Sequence, residues 1–205
     1  VVVSLFLFVS ALSAKEVAEI RILSIADIQY ADKATSGSRF YRNSIAKLQQ
    51  IREEVKDEKI DFVIHLGDII DTKYSNLAAP MAELKNFPYK QYFVMGNHDF
   101  DDSAENVEKI RLEFGLEDSL YYYFDIEGWR FIGVDTNRLS TYFKPKDEAL
   151  HSLALKLHKE IKDSGGNWGR TWNGGVDKAQ LEWLDELLKK SEVEDKKVIL
   201  FAHGP

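Results

Sequence analysis

Residues 62–71 read FVIHLGDIID, and the way this stretch ends decides the fold. Phe62, Val63, Ile64 and Leu66 make a short, almost continuous apolar run, as expected of a strand covered on both faces. The run stops at Gly67-Asp68, and a second carboxylate follows at Asp71. In α/β sheets the ligand site lies beyond the carboxyl ends of the strands, so a buried strand that ends in glycine and aspartate points to chemistry there. Glycine at such a position lets the backbone turn sharply and approach a ligand closely.

The same grammar recurs on either side. Residues 20–26 (IRILSIA) predict a strand that runs into Asp27-Ile28-Gln29, and residues 92–95 one that runs into Gly96-Asn97-His98-Asp99. A strand at 198–202 leads directly to His203, and two more are expected at 121–126 and 131–135. Helical spacing links Ile45, Leu48, Ile51 and Val55, and again Val107, Ile110 and Phe114. His151 and His158 fall on another predicted helix, as packing or surface residues, and Leu181, Leu184, Leu187 and Leu188 are expected on one face of a last one. Asp102 with Glu105, and Asp177 with Gln180, have capping-box spacing. Strands alternating with helices indicate an α/β domain with an at least partly parallel sheet. The stretch 165–175 (GGNWGRTWNGG) reads as a long loop, and loops of that length are often functional.

Length and composition limit the options. The chain has 205 residues, enough for one domain with a substantial core. Its net charge of −7 carries no basic footprint for a nucleic-acid backbone, so no nucleic-acid partner is expected. It contains no cysteine, so any metal must be held by oxygen and imidazole ligands. Residues 1–14 (VVVSLFLFVSALSA) are free of charge but short of the roughly 20 residues that span a bilayer. They fit a partial signal peptide without its basic leader, from which secretion or periplasmic location, and no stable membrane insertion, are expected.

The strand ends supply one kind of chemistry. Carboxylates, an amide oxygen and imidazole suit a hard or borderline divalent ion. A strand ending in Asp is commonplace, and Asx residues favour turns for local reasons. The ordered set D-x-Q, GDxxD, GNHD and a strand-terminal His is what makes a metal site the better reading. Other polar residues are read blandly: His65, mid-strand, as a hydrogen-bonded interior residue, and the run Tyr121–Phe124 chiefly as core. Asp135 and Asn137, at a strand end, are equally suited to lining the cleft or to neither role.

In these motifs the sequence resembles the calcineurin-like metallophosphoesterases, whose pattern is D-x-H, GDxxD, GNH[D/E], a later His and a final GHxH. The resemblance implies a double-sheet sandwich flanked by helices (αββα). It also implies two divalent metal ions, with Asp68 bridging them, Asp27 on one, and Asn97 and His203 on the other. His98 would act near the leaving group, with Asp71 orienting it. Gln29 stands where most members have His, and a neutral oxygen ligand there favours manganese over iron or zinc. The segments Asp27–Asp32 (DIQYAD), 39–44 (RFYRNS), GDIID and Trp172-Asn173-Gly174-Gly175 with the following QLEWL resemble the manganese-dependent ADP-ribose/CDP-alcohol diphosphatases. A small-molecule diphosphate substrate is implied, cleaved by a hydroxide shared between the metals. Phosphomonoesterase, cyclic-nucleotide phosphodiesterase and non-catalytic metal-binding readings stand as alternatives. Arg39 and Arg42 are candidates for holding the non-reacting phosphate, and Asn173 and Gly174 for meeting the substrate from the loop; Trp168 and Trp172 can stack on a base or pin that loop. On this resemblance, residues 15–205 are expected to be the N-terminal portion of the domain, lacking GHxH.

Overall fold

The computed structural model describes residues 19–142, 148–166 and 169–204. The expected signal segment at 1–14 and Trp168 lie outside the described residues.

Three parallel strands, β1 (Ile22–Ile25), β2 (Phe62–His65) and β3 (Lys90–Phe93), make one sheet in the order β1-β2-β3. Their register pairs Ile22 with Phe62 and Phe62 with Lys90, so all three strands end at one rim. Helix α1 (Asn43–Val55) crosses from β1 to β2, and α2 (Ala78–Leu84) lies on the way to β3. Helix α3 (Ala104–Glu113) then leads to a second sheet of β4 (Tyr122–Ile126), β5 (Trp129–Gly133) and β6 (Lys197–Phe201). In that sheet β4 and β5 are antiparallel while β5 and β6 are parallel. Helices α4 (Glu148–Asp163) and α5 (Lys178–Val193) fall between β5 and β6.

The period-2 alternation of the strands sorts their side chains into layers. Phe62 and Ile64 of β2 face the second sheet and meet Phe131 and Phe201 there, whereas Val63 joins Leu48, Leu84 and Ile110 of α1, α2 and α3. Ile132 points the other way, toward Leu187 of α5. The order is therefore helices, sheet, sheet, helix: the expected αββα sandwich. Phe62 is fully buried with Tyr92, Phe124 and Phe131 edge-on around it, at centroid distances of 5.5, 5.4 and 4.9 Å. Burying such a ring contributes on the order of 1.5–3 kcal/mol.

Several local expectations change. The N-cap of α3 is Ser103, whose side chain accepts from the Asn106 amide, and Asp102 instead receives the Tyr74 amide at 2.7 Å. Asp177 does cap α5, but Gln180 turns inward to make two hydrogen bonds with the Asp135 backbone, leaving the capping box half-made. The buried face of α5 runs through Gln180, Leu187 and Ser191, with Leu181 and Leu188 exposed. Helix α2 escaped the pattern reading because it is two turns long and carries Pro80, which is tolerated in a first turn. β5 begins at Trp129 because Glu127 and Gly128 both have positive φ and close a two-residue hairpin.

Candidate metal centre

The rim of the first sheet is built from three strained turns. Asp27, Gln29 and Asp68 have φ of 53°, 42° and 55°, the left-handed region that non-glycine residues adopt rarely. The turns after β1 and β2 are knitted by Asp27 N–H to Gly67 O at 3.2 Å and Gln29 N–H to Asp68 O at 2.8 Å. The turns after β2 and β3 touch more closely still. A Cβ on Gly96 would lie 2.1 Å from Asp68 Oδ1, and one on Gly67 would lie 2.5 Å from the Gly96 nitrogen. Only glycine fits either place.

Asp99 ties these turns together. Its fully buried carboxylate accepts the backbone N–H groups of Asp68, Ile69, Ile70 and Gly96 at 2.9, 3.0, 3.3 and 2.9 Å. Burial pushes this carboxyl up to about 7 and the nearby Asp68 charge adds to the rise, against the pull of the four amides. Nothing in the bare sequence distinguishes Asp99 from an ordinary turn residue, and its role there was missed.

Asp27, Asp68 and His203 each offer a ligand atom, all within 4.8 Å of one another. Asp27 is exposed, Asp68 buried and His203 half-buried, so the group opens to solvent on the Asp27 side. Asn97 belongs with them, its Oδ1 lying 3.2 Å from His203 Nε2, while Asp68 Oδ1 is 3.5 Å from that nitrogen. His203 Nδ1 lies 2.7 Å from the carbonyl oxygen of Leu66, which only accepts, so Nδ1 carries the proton. The neutral ring then aims the Nε2 lone pair at two oxygens with no donor between them, an arrangement that a cation satisfies. The donor set, three oxygens and an imidazole without thiolate, fits manganese, iron or zinc.

Gln29 is placed differently from the expectation of a ligand. Its Nε2 donates to Asp68 Oδ2 at 3.0 Å, so it steadies the Asp68 carboxylate and does not turn its oxygen into the cluster. Behind the cluster, His98 Nδ1 lies 2.9 Å from Asp71 Oδ1, at ion-pair distance but off the line of a hydrogen bond. The His98 amide donates to Asp68 Oδ1 at 2.9 Å, which fixes the residue to the cluster. Asp71 is buried and also held by Arg39 Nη1 at 3.2 Å and by the ammonium of Lys33, which lies over the Tyr41 ring as well. Lys33 carried no signal in the sequence, being one charged residue in a loop.

The remaining expected residues fall away from the cluster to different degrees. Arg39 lines a cleft of about 290 Å³ beside Asp27, with one nitrogen already engaged by Asp71. Arg42 instead pairs with Asp32 on the surface at 2.7 Å, outside that cleft's lining. Gly174 serves close backbone contact, since a Cβ there would lie 2.1 Å from Thr136 O, and Asn173 lines a separate small hollow with His158 and Ile161. Thr136 in turn accepts the Gly204 amide, so the loop backs the His203 turn. Trp172 is exposed beside Arg170. Asp135 and Asn137 are buried and do not line the cleft; Asn137 Nδ2 holds Met95 O at 2.7 Å. Burial lifts the Asp135 carboxyl to about 6. His65 is an interior residue, bonded to Gln91 at 2.8 Å and stacked on Phe93. The larger hollow at the β3–β4 edge, about 430 Å³ and lined by Tyr92, Phe93, Phe114 and Tyr122, contains none of the clustered groups.

An αββα sandwich with this cluster at the strand ends defines a class, and the family model of calcineurin-like phosphoesterases matches residues 20–205. The chain belongs to that family. It is 28% identical to a manganese-dependent ADP-ribose/CDP-alcohol diphosphatase of Xenopus laevis, over 88% of this chain and 64% of that protein. To the Arabidopsis thaliana protein of the same name it is 30% identical, over 88% of this chain and 66% of the relative. The chain thus spans slightly less than two thirds of the curated relatives it matches. The crystal structure of a dimetal phosphatase from Danio rerio superposes with a TM-score of 0.77 at 26% identity, covering 90% of this chain and 69% of that one.

Proposed function

We infer that the protein is a two-metal hydrolase that cleaves the diphosphate bond of nucleoside diphosphate-X compounds such as ADP-ribose or CDP-alcohols, with manganese as the preferred ion. The observation that carries this reading is the convergence of Asp27, Asp68, Asn97 and the His203 Nε2 lone pair at one rim. The names of the relatives support the substrate class, and the dimetal phosphatase neighbour supports the metal count.

Asp68, the most buried of the four, is the carboxylate suited to bridge two ions, with Asp27 serving one and Asn97 and His203 the other. When bound, such a pair activates water and neutralises charge on the phosphoryl oxygens. The chain's own contribution is orientation. Gln29 and the His98 amide hold the two Asp68 oxygens in place, one each. Asp71 holds His98 where its ring can stabilise charge on the departing oxygen. Lys33 and Arg39 fix Asp71 in turn.

The test is hydrolysis by the full-length protein with manganese, comparing ADP-ribose and a CDP-alcohol with a simple phosphate monoester. Higher kcat/KM on the diphosphates is expected. Brisk monoester cleavage beside negligible diphosphate turnover would overturn the assignment in favour of a phosphomonoesterase.

A further inference from the structure

The 290 Å³ cleft beside Asp27 is lined at its far side by groups that the metal cluster does not use: Ser38, Arg39, Phe40 and Lys47. We propose that this cleft is a two-part subsite, in which Lys47 takes the phosphate remote from the metals and the Phe40 ring stacks on a nucleobase. The proposal rests on the hydrolase reading above and names how that site selects its substrate.

Charge divides the cleft. Asp27 is the one acidic residue in its lining and lies at the metal end, whereas Arg39 and Lys47 are both cationic. Arg39 already spends a nitrogen on Asp71. Lys47 makes no ion pair among the described residues, although most lysines on the chain's helices pair with a carboxylate three or four positions away. A cation left unpaired beside a metal cluster is placed to receive an anion. Ser44, one helical turn before Lys47, is pinned by its hydroxyl to Ile28 O at 2.5 Å. That bond fixes α1, and with it Lys47, relative to the turn that carries Asp27.

Phe40 is held with equal firmness but left uncovered. Ser36 and Arg39 exchange two backbone hydrogen bonds at 3.1 and 3.0 Å, closing a tight turn, and Phe40 O accepts the Asn43 amide at 2.9 Å as α1 begins. The neighbouring Tyr41 is buried, yet the Phe40 ring is 53% exposed. A ring presented on a rigid support loses little freedom on binding, and stacking on a base is sequence-tolerant but favourable. A diphosphate with its outer phosphorus at the cluster reaches Lys47 with its inner phosphate and Phe40 with its nucleoside. A phosphate monoester reaches neither in the same way.

Calorimetry on the manganese-loaded full-length protein tests this without turnover, using ADP, AMP and inorganic phosphate as probes. Wild type is expected to bind ADP about tenfold more tightly than AMP. Lys47→Met is expected to erase that margin and Lys47→Arg to keep most of it. Phe40→Ala is expected to weaken ADP and AMP about tenfold each relative to inorganic phosphate. An ADP-to-AMP margin that survives Lys47→Met sinks the phosphate assignment, and equal losses for AMP and inorganic phosphate in Phe40→Ala sink the stacking one. Because binding is read directly, a wild type that fails to hydrolyse any diphosphate would refute the hydrolase reading while leaving these ratios to decide the subsite.

Discussion

Gly96 shows how little room the centre leaves a single residue. An added Cβ must displace Asp68 Oδ1 from 2.1 Å, and that carboxylate is already fixed by Gln29 and the His98 amide. Gly96→Ala is therefore expected to lower manganese affinity and kcat/KM at least a hundredfold. Gly115→Ala makes a useful control, because it faces open space and pays only for its φ of 71°, about 1 kcal/mol of stability. Comparable loss of metal binding in both variants would refute the steric argument. His98 gives a second prediction at this scale. A group that stabilises the departing oxygen matters more when that oxygen is a poor leaving group. His98→Asn should cut kcat by roughly 10²-fold or more for an alkyl phosphate ester, and by less for a diphosphate whose leaving group is itself a phosphate. Equal losses on the two substrates would show that the ring only supports the turn. The residues of the motifs were legible because each follows an apolar run. Lys33, Gln29 as a donor and Asp99 as a knot were not, since their meaning lies in partners 31 to 39 positions away.

Among the elements, strands and amphipathic helices were the easiest to foresee, because burial imposes a period. All six expected strands form, shifted by one or two residues at their ends. What escaped was whatever depends on contacts between elements. Arg130 reads as a polar interruption of β5, yet it is 1% exposed and joins three elements. Its guanidinium binds Asp125 of β4 through two nitrogens at 2.9 Å, Ser191 of α5 at 3.1 Å and Glu194 at 2.7 Å. Both carboxylates are about one-third exposed, which screens the pairs. Arg130→Met should therefore cost about 3 kcal/mol, the low end for breaking a buried pair, seen as a lower urea midpoint with manganese affinity retained. His65 makes an acid-dependent contribution at the same scale. Gln91 gives its NH₂ to Leu84 O, so its oxygen accepts from His65 Nε2, and the ring is neutral. Burial holds the His65 imidazole down to about 4, against 6.5 in the unfolded chain. Between those values the unfolded chain binds a proton that the folded one refuses, so stability is full above pH 6.5 and falls as the pH drops toward 4. The loss is roughly 3 kcal/mol, at about 1.4 kcal/mol per pH unit. Urea unfolding of wild type and His65→Gln at pH 7 and pH 4.5 checks this: the variant should lose markedly less stability between the two, and parallel losses would refute the linkage.

At the scale of the whole molecule the centre is a clasp between the two sheets. Asp27, Asp68 and Asn97 come from the ends of the first sheet, and His203 comes from the end of β6 in the second. The glycine contacts bring these rims together, and Gly67 lies so near His203 that a Cβ there would be 2.9 Å from its Nδ1. With no cation, the arrangement sets two carboxylates and an amide oxygen around a lone pair, and the buried Asp99 adds another carboxyl behind them. A bound ion converts that mutual repulsion into attraction, but only when both sheets are in place, so it stabilises the folded chain as a unit. Manganese at a hundred times its dissociation constant should contribute about 2.7 kcal/mol. For a domain of this size that corresponds to a rise in Tm of about 5–10 °C. Chelation should reverse the rise, and Asp68→Asn should abolish it, because the bridging position then lacks its second anionic oxygen. A thermal shift of the same size in Asp68→Asn would mean that the stabilising ion binds elsewhere, and the two sheets would then be joined by their apolar faces alone.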